Sequence, residues 1–394
     1  MSVDFQQIYT KIHAIGEGAR SRREHLQRQR EHAWELLEAH AADLGLLRDK
    51  VGRLARDADP NLRCALPRTE VLNARFPVPA AAEAATLVAV DGSQVMPDRH
   101  AALLYGLVHV GALALRANSD DAPEIFTESE LLYEDDLRNP DGSLLDEGGI
   151  ALKRDARERL KLLELARSFD PPVLALTDGP VELWGAKDPA NAGSYQDFLN
   201  RYLDDLDKLS QLGVTLGGYV DKPAADLLVR LLEVAQAADG DLRKLREYHP
   251  LLGVTDRWLF GRLLDPGERS AVFAMQSGSR ARYTGLRAIH FFYLNVGRPA
   301  HPAVARVEFP GWVADDPHKL DLLHNALVKQ SSLLGARPYP YLLHRAHETA
   351  RVSFDEKEQV ELLLSLELRK SGGEVEERSP KQSAKDLPGR KGSK

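Results

Sequence analysis

Two short apolar runs end in the same way, "LVAVDGS" at Asp91 and "VLALTDGP" at Asp178. Each delivers an aspartate and then a glycine to the C-terminal end of a stretch that reads as a buried strand. If the two strands are neighbours, two carboxylates meet at one sheet edge. Close carboxylates repel, so one takes a proton or a cation neutralises both. Mg2+ or Mn2+ suits such a place, because these ions prefer oxygen ligands and keep waters that phosphate oxygens can replace. The competing reading is turn chemistry: Asp-Gly is a common turn pair, and "NPDGS" at Asp141 to Ser143 is of that kind.

A third acidic group is expected from the helix at 151–168, which leads into the second strand. Retracing that strand's five steps of ~3.3 Å takes about 11 helical residues at ~1.5 Å each, which lands near residue 156. Glu158 fits this level, and Glu164, beside the start of the strand, is the competing choice. Further on, "RPYPYLLHRAHETA" gathers Tyr339, His344 and His347. Pro338 and Pro340 stiffen the entry to a short helix on which Tyr339 and His347 could both face the site.

These residues need elements to position them. Residues 4–56 read as helical, with Ile8, Ile12, Ile15, Leu26, Trp34, Leu37 and Leu44 spaced among many Arg, Glu and His. Prolines and alanines mark 61–84 as a connector. Extended stretches at 87–95, 101–115 and 124–133 predict an antiparallel meander. Helices at 151–168, 194–211 and 223–236 then alternate with strands at 173–180 and 214–220. Polar loops and short helical pieces at 238–285 read as an insertion or lid, before strands at 288–297 and 302–310 and helices at 317–334 and 356–369. Hairpin strands followed by helix-strand units predict an α/β fold, a mixed sheet covered by helices. The expected domains are a helical arm at 1–60, a main domain at 85–350, a C-terminal helix at 351–370 and a disordered tail at 371–394, which has almost no large apolar residue.

With 43% hydrophobic and 28% charged residues, the composition of the 394-residue chain is that of a globular protein. Its net charge of −7 gives no global attraction to nucleic acid, although a local basic groove would be averaged away in that sum. Cys64 is the only cysteine, which excludes an internal disulfide and a cysteine-built zinc site. No apolar run approaches the ~20 residues of a membrane span, and the start lacks a signal layout, so a cytoplasmic location without membrane association is expected.

The chain resembles the NurA nuclease family. The resemblance rests on "VAVDGSQ" at 89, the acidic helix leading into "LALTDGP", "GGYVDKP" at 217, "FFYLNVG" with "VARVEFPGWV" (291–313), and "RPYPYLLHRAH" at 337. It covers about residues 85–350. It implies an RNase H-like fold and Mn2+-dependent cleavage of DNA, with Mg2+ possible and one or two ions per site. It further implies single-strand endonuclease and 5′-to-3′ exonuclease activity, a homodimer, and joint work with a hexameric HerA-type ATPase in resecting broken duplex ends. Carried over by position, Asp91, Asp178 and the helical glutamate, here Glu158, would be metal ligands. His347 would be a further ligand or catalytic group, with Tyr339 beside it. The helix offers Glu164 to the same acidic position.

Lys222 and Arg306 are candidate contacts to the DNA backbone, and Tyr219, Phe291, Phe292 and Tyr293 either stack bases or fill the core. Two rivals stand beside the nuclease. A phosphatase with Asp91 as nucleophile would want an aspartate two residues later, where Ser93 stands. A non-catalytic DNA-end or HerA-binding subunit would keep the fold without turnover.

Overall fold

Leu87 to Val90 are buried, as a continuous apolar run requires, and they begin the strand that carries Asp91. The structure, a computed structural model, describes residues 5–80, 84–98, 103–117, 119–139, 142–183 and 192–372. The chain divides into two units, each assembled from separate stretches of sequence.

One unit comprises Glu83–Asp178, Glu182–Leu216 and Pro340–Lys394. Its strands lie in the order β6 (Val173–Asp178), β3 (Thr86–Val95), β4 (Tyr105–Arg116) and β5 (Glu124–Tyr133). The expected meander is present: β3 with β4 and β4 with β5 are antiparallel. β6 joins β3 in parallel, with Leu87 opposite Leu174 and Val90 opposite Thr177. Parallel pairing requires a crossover, and α4 (Glu147–Ser168) supplies it. α4 starts where Asp146 accepts a hydrogen bond from the Gly149 N–H at 2.7 Å. Leu174, Ala175 and Leu176 are wholly buried, and burying each leucine contributes about 1.5–3 kcal/mol.

Three more helices belong to this unit. α5 (Ala192–Gln211) packs on α4, α10 (Tyr341–Ala350) lies on β3 and β4, and α11 (Phe354–Lys370) opens with a Ser353/Glu356 capping box. Strand alternation assigns the faces. A Cβ at Gly92 would meet the Glu158 carboxylate of α4, whereas a Cβ at Gly111 would meet the Ala350 backbone of α10. Gly111 is the register partner of Asp91. Asp91 therefore looks to the α10 face of the sheet, and Gly92 to the α4 face.

The other unit comprises Met1–Ala82, Gly179–Val181 and Gly217–Tyr339. Its strands run in the order β1 (Cys64–Pro67), β9 (Phe273–Gln276), β10 (Ile289–Asn295), β11 (Val304–Pro310) and β7 (Thr215–Val220), each antiparallel to the next. Short β2 (Arg75–Phe76) and β8 (Arg269–Ser270) pair with each other, and β8 also pairs with β10. Helices α2 (Ala19–Ala39), α3 (Leu44–Asp57), α6 (Leu227–Gln236), α7 (Asp256–Leu263), α8 (Gly311–Ala314) and α9 (Pro317–Ser332) complete it, together with α1 (Phe5–Glu17), which buries no residue. The first N–H groups of α6, those of Leu228 and Val229, reach buried Asp256 at 2.9 Å, and the Tyr293 hydroxyl donates to the same carboxylate.

Several expectations change here. The connector at 61–84 contributes β1 and β2, because Leu62, Cys64 and Ala65 are buried. Residues 238–285 supply α7, β8 and β9, with Phe260 and Phe273 fully buried, so this stretch is built into the sheet and its helical cover. Tyr219, Phe291, Phe292 and Tyr293 are core residues with no exposed face for a base. The tail beyond residue 372 lies outside the described residues. Among the described residues no helix is long and apolar enough to cross a membrane.

Candidate active site

Asp91 sits on β3 one step past the last paired residue, Val90, and Asp178 is one step past Thr177 on β6. The two aspartates thus follow directly on the last paired residues of neighbouring parallel strands. Asp178 is exposed and runs into Gly179, whose φ of +91° makes the sharp exit that glycine allows. Asp91 is more confined. One carboxylate oxygen accepts the N–H of Gly92 at 2.8 Å, and the other meets Nδ1 of His347 on α10 at 2.7 Å. A carboxylate accepts, so Nδ1 carries the proton in this pair and Nε2 is the atom left for a second proton or an ion. α10 is seated by close backbone approach at Gly111 and by the Ser93 hydroxyl, which donates to the Ala350 carbonyl.

Glu158 reaches the same strand from the opposite face. Its side chain, 11% exposed, fills the place a Cβ at Gly92 would take: that atom would lie 2.6 Å from Oε1. Burial pushes the carboxyl up to about 8, and the charges of Asp155 and Asp91 push the same way, while Arg154 and Arg159 pull it down. Arg154 is the nearest cation. Its Nε lies 3.1 Å from Glu158 Oε1, and its Nη2 donates to Asp155 Oδ1 at 2.7 Å. Beyond Thr177 no pairing of β3 with β6 is present among the described residues. Glu158 and Asp91 thus come within electrostatic reach around an open strand edge.

The structure brings together Asp91, His347 and, through register, Asp178, with Glu158 behind Gly92. Glu164 points elsewhere, toward Lys161 at 3.3 Å. Tyr339 closes the other unit, where it packs edge-on against Tyr219 with ring centroids 5.5 Å apart. Lys222, in that unit, is an exposed cation at φ +43°, 3.9 Å from Asp221. Arg306 is not available as a DNA contact: it is buried and pairs with wholly buried Glu308 at 2.8 Å. Sequence reasoning missed Arg154, although its spacing of four residues from Glu158 on a helix was a signal for the pair.

Among the described residues no three His, Cys, Asp or Glu side chains converge closely enough to cage an ion. The donor set nonetheless suits a hard divalent cation. It is carboxylate oxygen with one imidazole, and the crowded charge of Asp91, Asp155 and Glu158 calls for a positive partner, the part that Arg154 and Arg159 play here.

A mixed sheet with flanking helices, bearing acidic side chains at two adjoining strand ends, is an arrangement that metal-dependent nucleases use, among other proteins. The chain belongs to the NurA family: the family model described as NurA domain matches residues 85–352, more than half of it. The fold is similar to that of the NurA nuclease from Sulfolobus solfataricus, with a TM-score of 0.50 and 14% identity over 94% of this chain and 98% of that one. A weaker likeness to human ENDOV has a TM-score of 0.31 and 16% identity, over 78% of this chain and 96% of that one. No curated protein matches the sequence.

Proposed function

We propose that the chain is a metal-dependent deoxyribonuclease that uses Mn2+, or Mg2+ in its place, and acts on single strands and broken duplex ends. Family membership extends the proposal to endonuclease and 5′-to-3′ exonuclease cleavage in end resection, as a homodimer beside a HerA-type ATPase. The observation that supports the reading is the parallel register of β3 and β6, which ends with Val90 opposite Thr177 and leaves Asp91 and Asp178 as the next residues of neighbouring strands.

Asp91, Asp178 and Glu158, with His347, are the residues that would hold an ion, which when bound supplies Lewis acidity at a phosphate and lowers the pKa of water. The chain's own groups have separate tasks. The Gly92 N–H and His347 fix the Asp91 carboxylate in one orientation. His347, 59% exposed, keeps Nε2 accessible either to hold the ion or, in its place, to give a proton to the leaving 3′ oxygen. Lys222 offers an exposed charge to the DNA backbone.

The test is incubation of end-labelled single-stranded DNA with the protein in Mn2+, Mg2+ or EDTA, beside Asp91→Ala. Cleavage with Mn2+ that drops at least 100-fold in the variant is expected. Binding without cleavage by the unaltered chain would favour the accessory-subunit reading, and cleavage untouched by Asp91→Ala would remove the site assignment.

A further inference from the structure

α4 carries a second cluster on the side turned away from Glu158. At 100° per residue, Lys153, Ala156 and Leu160 lie roughly opposite Glu158, with Arg157 to one side, and with side chains of α5 they line a cavity of about 510 Å³. That volume is in the range of small-ligand sites. Its wall is aromatic: Phe198 and Tyr202 are four residues apart on α5, and the Arg159 guanidinium lies 4.8 Å from the centroid of the Tyr202 ring. Its rim is cationic. Arg157 pairs with Glu128, and Lys208 with Asp205 at 2.7 Å. Lys153 and Arg201 make no ion pair among the described residues.

An aromatic wall beside two cations that make no ion pair among the described residues suits a ligand that is both a flat ring and an anion. Glu130 and Asp204, also on the rim, reject a bare polyanion but accept from the N–H groups of a base. We propose that this cavity is a subsite for one nucleotide of the DNA strand, its base against Phe198 and Tyr202 and its phosphate between Lys153 and Arg201. This rests on the nuclease reading and deepens it. The body of α4, about 10 Å across, lies between the cavity and Glu158. A strand seated in the cavity would pass round α4 to reach the acidic centre. The local basic groove is masked in the chain's net charge of −7.

The experiment measures binding of a fluorescein-labelled 20-nucleotide oligothymidylate in EDTA, by anisotropy across a salt series. The proteins are the unaltered chain, Lys153→Glu/Arg201→Glu, Phe198→Ala, and a control with two charges reversed on α11, Arg369→Glu/Lys370→Glu. The rim variant is expected to bind at least tenfold more weakly, with a salt slope flatter by about 0.7 for the one phosphate no longer neutralised. Phe198→Ala is expected to lose about tenfold at a shallower cost in slope, since it removes stacking rather than charge. With 2-aminopurine walked along the strand, one position should be quenched by the unaltered chain and not by Phe198→Ala. Thymidine 5′-monophosphate alone should bind at least tenfold more weakly than the strand, and equal affinity would make the cavity a mononucleotide site and overturn the proposal. A chain that cuts DNA with Mn2+ while its rim variant binds like the unaltered protein or the α11 control overturns the subsite alone. A chain that neither binds nor cuts DNA overturns the nuclease reading and the subsite with it.

Discussion

Arg154 occupies the position on which the acidic centre turns. It touches Glu158 and Asp155 and lies within electrostatic reach of Asp91. Without a metal it is the nearest counter-charge for carboxylates that burial and mutual repulsion destabilise. Arg154→Gln should therefore lower the stability of the metal-free protein by about 1–3 kcal/mol, limited because Glu158 can take up a proton instead. Saturating Mn2+ should stabilise the variant more than the unaltered chain, since the ion then supplies charge that the arginine no longer does. Urea titrations with and without Mn2+ measure both, and equal stabilisation of the two proteins would sink the idea. At this scale the position of each aspartate at a strand end was legible, because each closes a continuous apolar run that reads as a buried strand. Arg154 was hidden among the many charges of its helix. Arg306 misled, although its place two residues before Glu308 on one strand face announces a pair.

Elements are held against the sheet by two glycines whose obstacles differ in kind. At Gly92 an added Cβ would press on the Glu158 carboxylate and the Arg154 side chain, both of which can swing aside. At Gly111 it would lie 2.4 Å from the Ala350 backbone nitrogen and 2.7 Å from the Thr349 carbonyl carbon, so α10 itself must lift. Gly111→Ala should cost about 1–3 kcal/mol of overpacking and, by moving α10, part His347 from Asp91. Gly92→Ala should cost less stability yet impair cleavage through the displaced Glu158. Denaturant midpoints and Mn2+-dependent cleavage rates of the two variants check this, and a Gly111→Ala protein of unchanged stability would contradict the seating of α10. Most elements were legible because their periods are clean: the strand at 124–133 and the helix leading into Val173 follow from alternation and apolar spacing. β1, β2, β8 and β9 were not, since two- to four-residue strands are too short for a period to show.

Across the whole molecule, the chain enters and leaves each unit several times, and the family match at 85–352 runs through both. A partition that gathers residues 1–82, 179–181 and 217–339 rests on distant pairings such as β1 with β9, which no local pattern encodes. The two units also depend differently on solution conditions. On the proposed metal-dependent reading the carboxylates of one would respond to divalent ions, whereas the other encloses two neutral histidines. His290 donates from Nδ1 to the Ala288 carbonyl at 2.9 Å, and Nε2 of His324 meets the Gly267 carbonyl at 2.7 Å. Burial lowers both to about 4 from 6.5. In the unfolded chain they take protons below 6.5, whereas in the folded unit they resist down to about 4. Their contribution is thus complete above pH 6.5 and is lost as pH falls toward 4, by up to about 3 kcal/mol each. Guanidinium titrations from pH 7 to 4 should show this decline without Mn2+ present. His324→Gln, which keeps a donor for Gly267 but cannot titrate, should flatten the decline by roughly half of the two-histidine share, and a pH dependence identical to that of the unaltered chain would exclude His324 as its source.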